Sequence, residues 1–177
     1  TRGEPAYADV YNVRAREYVP VPEAHPRYIL EPVACGINVV QQPIREIAER
    51  SGPGRRLLII GSGFLAWVIF NTLTMDPEHL DMEIDVVGNS NRDLWLNKLQ
   101  AEPTGEYDIV FDLSSRTDVF DKPILKDNAT VILGAQKTVT TDFANLLWKS
   151  CTIKFPSPRN YTFFHAMNLA LDMVKDG

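Results

Sequence analysis

Arg56-Leu57-Leu58-Ile59-Ile60-Gly61-Ser62-Gly63-Phe64-Leu65-Ala66 is the stretch that decides the fold. Leu57–Ile60 is a short run of large aliphatic residues with no polar interruption, the mark of a strand buried on both faces. Gly-x-Gly-x-x-Ala comes at once after it, and an apolar helical pattern continues to about Leu73. Each small residue has a physical task. Gly61 permits the tight strand-to-helix turn, Gly63 lets backbone approach a pyrophosphate, and Ala66 lets the helix pack closely on the strand. The helix start then offers N–H groups and the positive end of its dipole to phosphates. An ordinary tight turn would carry the same glycines. The strand before and the helix after favour the phosphate cradle, made of Gly61, Ser62, Gly63, Phe64 and Leu65.

Outward from this segment, apolar runs alternate with helical patterns. Strands are predicted at Ile84–Val87, Tyr107–Leu113, Thr130–Leu133 and Cys151–Phe155. Between them, helices are predicted at Arg92–Gln100, Asp142–Lys149 and Tyr161–Val174, with a helical turn at Asp118–Leu125. Upstream, Val33–Arg50 has helical spacing, a kink is expected at Pro43, and Ser51-Gly52-Pro53-Gly54 stops the helix. Short aliphatic strands between helices mean a parallel sheet covered on both faces, so the fold class is α/β, a Rossmann-type doubly wound sheet. Only Ala101–Glu106 separates the predicted helix at 92–100 from the next strand. A parallel crossover needs about a dozen residues, so the third strand is expected to be short or absent and the sheet reduced to the order 2-1-4-5-6. Residues 1–30 differ in character. Four of the 12 prolines, Pro5, Pro20, Pro22 and Pro26, fall here with Pro32 just after, and extended runs are expected at Ala8–Val13 and Glu17–Val21.

Composition narrows the function classes. The hydrophobic fraction of 45% and charged fraction of 23% are those of an ordinary globular chain. A net charge of −5 without a basic run argues against a nucleic-acid partner. The longest apolar run, Phe64–Phe70, is far short of the roughly 20 residues that span a bilayer, so no membrane partner is expected. Cys35 and Cys151 are far apart in sequence, which excludes a disulfide framework and fits a reducing, cytoplasmic setting. The chain starts Thr1-Arg2 with no Met, as a processed or truncated chain would.

The ordered series of segments resembles the cofactor-binding half of the medium-chain (zinc alcohol dehydrogenase-like) dehydrogenases and reductases. Ala6-Tyr7-Ala8-Asp9 and Tyr18-Val19-Pro20-Val21-Pro22 are similar to the strands that close the catalytic, GroES-like domain of that family. Glu31-Pro32-Val33-Ala34-Cys35-Gly36 is similar to its Glu-Pro-Leu segment at the domain crossing. Tyr107–Asp112 is like its fourth strand, Thr130–Gly134 its fifth, and Leu146–Lys154 its sixth with the preceding helix. The resemblance implies residues 1–30 as a remnant of the catalytic domain and 31–177 as the dinucleotide-binding domain. It also implies hydride transfer in an intact oxidoreductase. The family's catalytic-zinc Cys and Gly-His-Glu segments have no counterpart here. Glu31 matches a glutamate that approaches zinc in polyol-type members, but one carboxylate is not a zinc site. A domain-border carboxylate is the plainer account, and zinc is not expected in this chain. On its own the chain is expected to bind without turnover. The alternative is a degenerate Rossmann module used for binding or assembly.

The resemblance sets the remaining expectations. Gly88 stands where enzymes specific for NAD place an acid for the ribose 2′-hydroxyl, while Asp85 comes too early, inside the strand. Asn89, Ser90 and Arg92 come next and suit a 2′-phosphate, so NADP is expected ahead of NAD. A polar turn leading to the next helix is the other account of these residues. Ser114, Ser115 and Arg116, beyond a possible turn-capping Asp112, and Gly134 with Ala135, sit at the carboxyl ends of strands, where such folds bind ligands. His25, His79 and His165 are scattered and read as surface residues. Cys35 and Cys151 read as small core residues, and Trp67, Trp95 and Trp148 as packing. Relatives pair the last strand with its copy, which implies a homodimer through Cys151–Phe155.

Overall fold

The computed structural model describes residues 18–50, 52–75, 81–95, 97–114, 120, 122–135 and 143–175. The expected extended run at 8–13 lies outside these residues. So do His79, Ser115 and Arg116.

Helix α1 (Glu31–Gln41) starts on Pro32, which is suited to the first helical turn because the N–H it lacks has no acceptor there. It breaks at Gln42-Pro43, and α2 (Ile44–Arg50) completes the predicted kinked helix. Next come β1 (Arg56–Ile60), α3 (Phe64–Thr74), β2 (Glu83–Val87), a 3₁₀ turn at Arg92–Trp95, and β3 (Leu99–Gln100). The chain continues through β4 (Tyr107–Asp112), β5 (Leu125–Leu133), α4 (Ala144–Trp148), β6 (Thr152–Lys154) and α5 (Phe163–Lys175). The six strands form one parallel sheet in the order β3-β2-β1-β4-β5-β6, the doubly wound Rossmann arrangement.

Leu57, Ile59, Val86, Ile109, Phe111 and Ile132 cover one face of the sheet and pack against α1, α2, α3 and Trp95. Leu58, Ile60, Val87, Val110 and Val131 cover the other and pack against Phe120, Ile124 and Leu146 of α4. Helix α5 lies on α1 through Leu30, Ala34, Ile37, Ala166, Ala170 and Leu171. Buried Asn38 ties α1 to the segment before α5, donating to the Pro158 carbonyl at 3.0 Å and to Asn160 Oδ1 at 2.9 Å.

Several expectations are corrected. The third strand is present, as two residues hydrogen-bonded to β2 at Val86↔Leu99 and Val87↔Gln100, so the order is 3-2-1-4-5-6 rather than 2-1-4-5-6. It falls inside the predicted helix at 92–100, which is only a 3₁₀ turn with Asn91 and Asn97 at positive φ on its flanks. Residues 18–21 form no strand; Val19 instead packs against the α1–α5 cluster. The described part of 118–125 is not helical, and β5 already begins at Leu125. Trp148, expected to pack, is 84% exposed.

The return from β3 to β4 uses only residues 101–106 and no helix. A polar cluster occupies the space on that sheet face. The Asp85 carboxylate is 6% exposed. It is paired with the Arg56 guanidinium and accepts from Tyr107 Oη at 2.8 Å and Gln100 Nε2 at 2.9 Å. Thr104 joins the cluster through its N–H to Tyr107 Oη and its Oγ1 from Arg56. Burial, and then the Asp85 carboxylate, hold the Tyr107 phenol above its ordinary value against the opposing bonds from Thr104, so it remains a donor. Asp85→Ala removes the buried partner of a largely buried guanidinium and leaves it only the exposed Glu83 carboxylate at 3.4 Å. We expect a loss of about 3 kcal/mol, read as a lower denaturant midpoint in equilibrium unfolding; a loss under about 1 kcal/mol would mean that the cluster is not what closes this face.

Candidate functional site

Strand β1 is hydrogen-bonded on both edges, to β2 and to β4, and buried on both faces, so the chain leaves it at one fixed place. Gly61 makes the exit at φ +128°, a conformation costly for any residue with a Cβ. Its N–H donates to the Val87 carbonyl at 2.8 Å, which fixes the turn on the carboxyl end of β2. Gly63 then precedes α3 in extended conformation, and no side chain caps the helix. The first N–H groups of α3 therefore lack intrahelical acceptors. A Cβ built on Gly63 would meet nothing within 4 Å. The space beside the uncapped helix start is open, as a pyrophosphate requires. The residues present fit that group.

Ser62 is 3% exposed and held from the β2–β3 connection. Its Oγ accepts from the Ser90 N–H at 3.0 Å and lies 3.0 Å from Ser90 Oγ. Its carbonyl accepts from Trp95 Nε1 at 3.1 Å and Asn91 Nδ2 at 3.2 Å. Trp95 is itself buried, edge-to-face on Phe70 of α3 with centroids 5.6 Å apart. Gly88, at the end of β2, lies against Ser62 so closely that a Cβ there would come within 2.4 Å of Ser62 Oγ. Asp112, fully buried at the end of β4, caps the next turn, accepting from Ser114 N–H at 3.1 Å and Ser114 Oγ at 3.0 Å. The Gly134 N–H donates to the Asp112 carbonyl at 3.0 Å.

Six of the predicted residues, Gly61, Ser62, Gly88, Asn89, Ser90 and Ser114, line one cleft of about 230 Å³ with Ile60 and Val87. It lies at the carboxyl ends of the strands where the winding reverses between β1 and β4. Phe64 is exposed beside it at the first turn of α3, while Leu65 packs inward. Gly134 and Ala135 come after β5 at the same edge. Arg92 is exposed on the 3₁₀ turn, outside the cleft lining. Sequence reasoning does not mark Trp95 as a site residue. An indole in a predicted helix carries no sign that its N–H reaches a carbonyl 33 residues away.

Glu31 is paired with Arg159 and accepts from Cys35 Sγ at 3.3 Å. Burial, and then Glu31, push the Cys35 thiol above its ordinary value. Among the described residues no three His, Cys, Asp or Glu side chains cluster as metal ligands. Nor is any described helix long and apolar enough to cross a membrane. His25 accepts from the Arg27 N–H and His165 is exposed. The Cys35 and Cys151 thiols are half-buried.

The doubly wound fold is shared with solved dehydrogenases. No protein-family model matches the chain, and neither does any curated protein. Solved structures do match. An alcohol dehydrogenase from Escherichia coli CFT073 complexed with NADH is 11% identical, with a TM-score of 0.66 over 92% of this chain and 53% of the other. The D-arabinose dehydrogenase of Sulfolobus solfataricus is 13% identical, with a TM-score of 0.64 over 90% and 55%. A glucose dehydrogenase of Haloferax mediterranei in complex with NADP, Zn and gluconolactone is 10% identical, with a TM-score of 0.58 over 82% and 48%. This chain spans about half the length of these dehydrogenases.

The two glycines of the loop should separate fold from binding. Gly61→Ala forces a Cβ into a left-handed turn and is expected to cost about 1–2 kcal/mol of stability. Gly63→Val puts its Cβ into open space and costs only the weaker N-cap, about 1 kcal/mol, so the chain should stay folded with a melting temperature a few degrees lower while dinucleotide binding is lost. Unchanged affinity in Gly63→Val would remove the loop from the site.

Proposed function

We propose that this chain is the dinucleotide-holding domain of a medium-chain, zinc alcohol dehydrogenase-like oxidoreductase, with NADP(H) preferred over NAD(H). The observation that carries the reading is the open space at Gly63 beside the uncapped start of α3, at the point where the sheet's winding reverses. When bound, the cofactor supplies the hydride chemistry. The chain's own residues do the holding. Backbone N–H groups of Phe64 and Leu65 meet the pyrophosphate, and Ser114 borders the adenosine end of the cleft. Residues 1–30 are the edge of the catalytic domain in this reading. The substrate and any acid–base groups belong to that domain.

The NADP preference rests on the residues at and beyond the end of β2. Asp85 is consumed by Arg56, Tyr107 and Gln100, and Gly88 brings no carboxylate to the cleft. A 2′-phosphate therefore meets no like charge there. Its donors are the Ser90 hydroxyl and the exposed Arg92 side chain, with Asn89 alongside; the Ser90 N–H is already engaged by Ser62. Titrating NADPH and NADH side by side tests this. NADPH should bind at least tenfold tighter, and Arg92→Ala should weaken NADPH by about tenfold, as loss of one charge-assisted hydrogen bond does. Equal or tighter NADH binding would overturn the preference. Binding of neither cofactor would favour a degenerate module used for assembly.

A homodimer through β6 is part of the same proposal. Strand β6 is at the edge of the sheet, hydrogen-bonded to β5 on one side. Beside it Leu147, Trp148 and Phe155 are exposed by 76%, 84% and 76%. Water-facing apolar side chains at an open strand edge favour pairing with a second copy. Sedimentation equilibrium at micromolar concentration should give twice the chain mass; a monomer would refute it. The two cysteine thiols fit a reducing, cytoplasmic compartment.

A further inference from the structure

We infer that Ser62 is a specificity-determining residue. By filling the space above position 88 and orienting the Ser90 hydroxyl, it locks the cleft against a ribose-binding acid and toward a 2′-phosphate. This rests on the cofactor site proposed above and goes beyond it, since Ser62 lies in the phosphate loop and position 88 on another strand.

The first half of the argument is volume. Gly88 does not have a positive φ, so its backbone accepts any residue. What excludes a side chain is Ser62, whose Oγ, Cβ and N lie 2.4, 2.7 and 2.9 Å from where a Cβ would stand. An aspartate at 88 cannot enter while Ser62 stays where it is. Ser62 is not free to move, because Trp95 and Asn91 hold its carbonyl and Ser90 holds its hydroxyl. Ser62→Gly removes the two closest atoms. The remaining N, a backbone atom at 2.9 Å, must still give way, so removing the side chain relieves the clash in part.

The second half is hydrogen-bond direction. Ser62 Oγ already accepts from the Ser90 N–H, and the two hydroxyl oxygens lie 3.0 Å apart. When Ser62 donates its proton across that contact, Ser90 Oγ is the acceptor, and the Ser90 proton turns outward into the cleft that both residues line. An anion at the rim then meets a donor. A carboxylate introduced at 88 would compete for that donor and repel the anion.

The test is a four-protein cycle of the parent, Ser62→Gly, Gly88→Asp and the double variant, with Gly88→Ala as a milder steric probe. Each is measured for melting temperature without cofactor and for Kd with NADPH and with NADH. Gly88→Ala and Gly88→Asp alone should lower the melting temperature by several degrees, and Gly88→Asp should weaken both cofactors. Adding Ser62→Gly to Gly88→Asp should restore part of the lost melting temperature and reverse the preference to NADH. Ser62→Gly alone should lower the preference for NADPH over NADH by about tenfold, whatever loss of loop support the two cofactors share. If the parent binds cofactor but the two substitutions act additively in melting temperature, the inference is overturned and the cofactor site stands. It is equally overturned if they are coupled in melting temperature while the double variant still prefers NADPH. If the parent binds neither cofactor, the proposed function fails and this inference with it.

Discussion

The six-residue return from β3 to β4 constrains much of what surrounds the site. The chain must come back from the outermost strand, past β2 and β1, to the far side of β1. With strands about 4.8 Å apart, that is a lateral step of about 14 Å, and because β3 and β4 run parallel the chain must also return about 16 Å along the sheet, from the level of Asp112 to Tyr107. The resulting distance of about 22 Å is nearly the full reach of an extended chain from Gln100 to Tyr107, about 23–25 Å. No room remains for a helix, so no apolar helical stripe covers that part of the sheet. Arg56, Asp85 and Tyr107 fill it instead, with Thr104 of the return segment bonded into them. A carboxylate on β2 is thereby turned inward and committed to structure. The same short path keeps β3 to two residues.

Ser90, Asn91 and Trp95 of the β2–β3 connection give the glycine loop its support. In a phosphate loop the backbone must stand ready with its N–H groups outward, and the neighbouring atoms must hold it there without filling the space. Ser62 takes the support on its carbonyl and hydroxyl, both facing the β2–β3 connection, while Gly63 faces open space. The same peptide segment is thus braced on one side and bare on the other. Phe70 extends the brace into the core, since Trp95 is packed on it from above.

Parts of this were legible in the chain and parts were not, for physical reasons. A strand buried on both faces and a glycine loop have strict requirements, so Leu57–Ala66 sufficed to locate β1, α3 and the cleft. The aliphatic runs of β2, β4 and β5 have no competing account either. Strand β3 was hidden because two residues make no pattern, and because Arg92–Leu99 has enough apolar residues to mimic a short helix. The polar cluster was hidden because Asp85, Arg56 and Tyr107 look like ordinary strand-end residues until the sheet aligns them. The Ser62–Gly88 contact is purely tertiary. Gly88 stood out in the sequence as a missing acid, and only the packing shows a steric reason for the glycine. Ser115 and Arg116, singled out at the carboxyl ends of the strands, lie outside the described residues.

The electrostatics of the site depend on the same arrangement. The chain carries a net charge of −5, and a dinucleotide is an anion. Long-range attraction therefore works against the complex, and no basic side chain lines the described cleft. The forces left to favour an anion are short-range. They come from the uncapped first turn of α3, worth about 0.3–1 kcal/mol as a dipole end, together with hydrogen bonds from fixed N–H groups in a partly enclosed space. Such donors act within a few ångströms and only if their geometry is held. In the proposed cofactor site the brace on Ser62 is therefore an electrostatic device as well as a packing one. A loop free to tilt would scatter its N–H groups, and this chain has no surplus of positive charge with which to compensate.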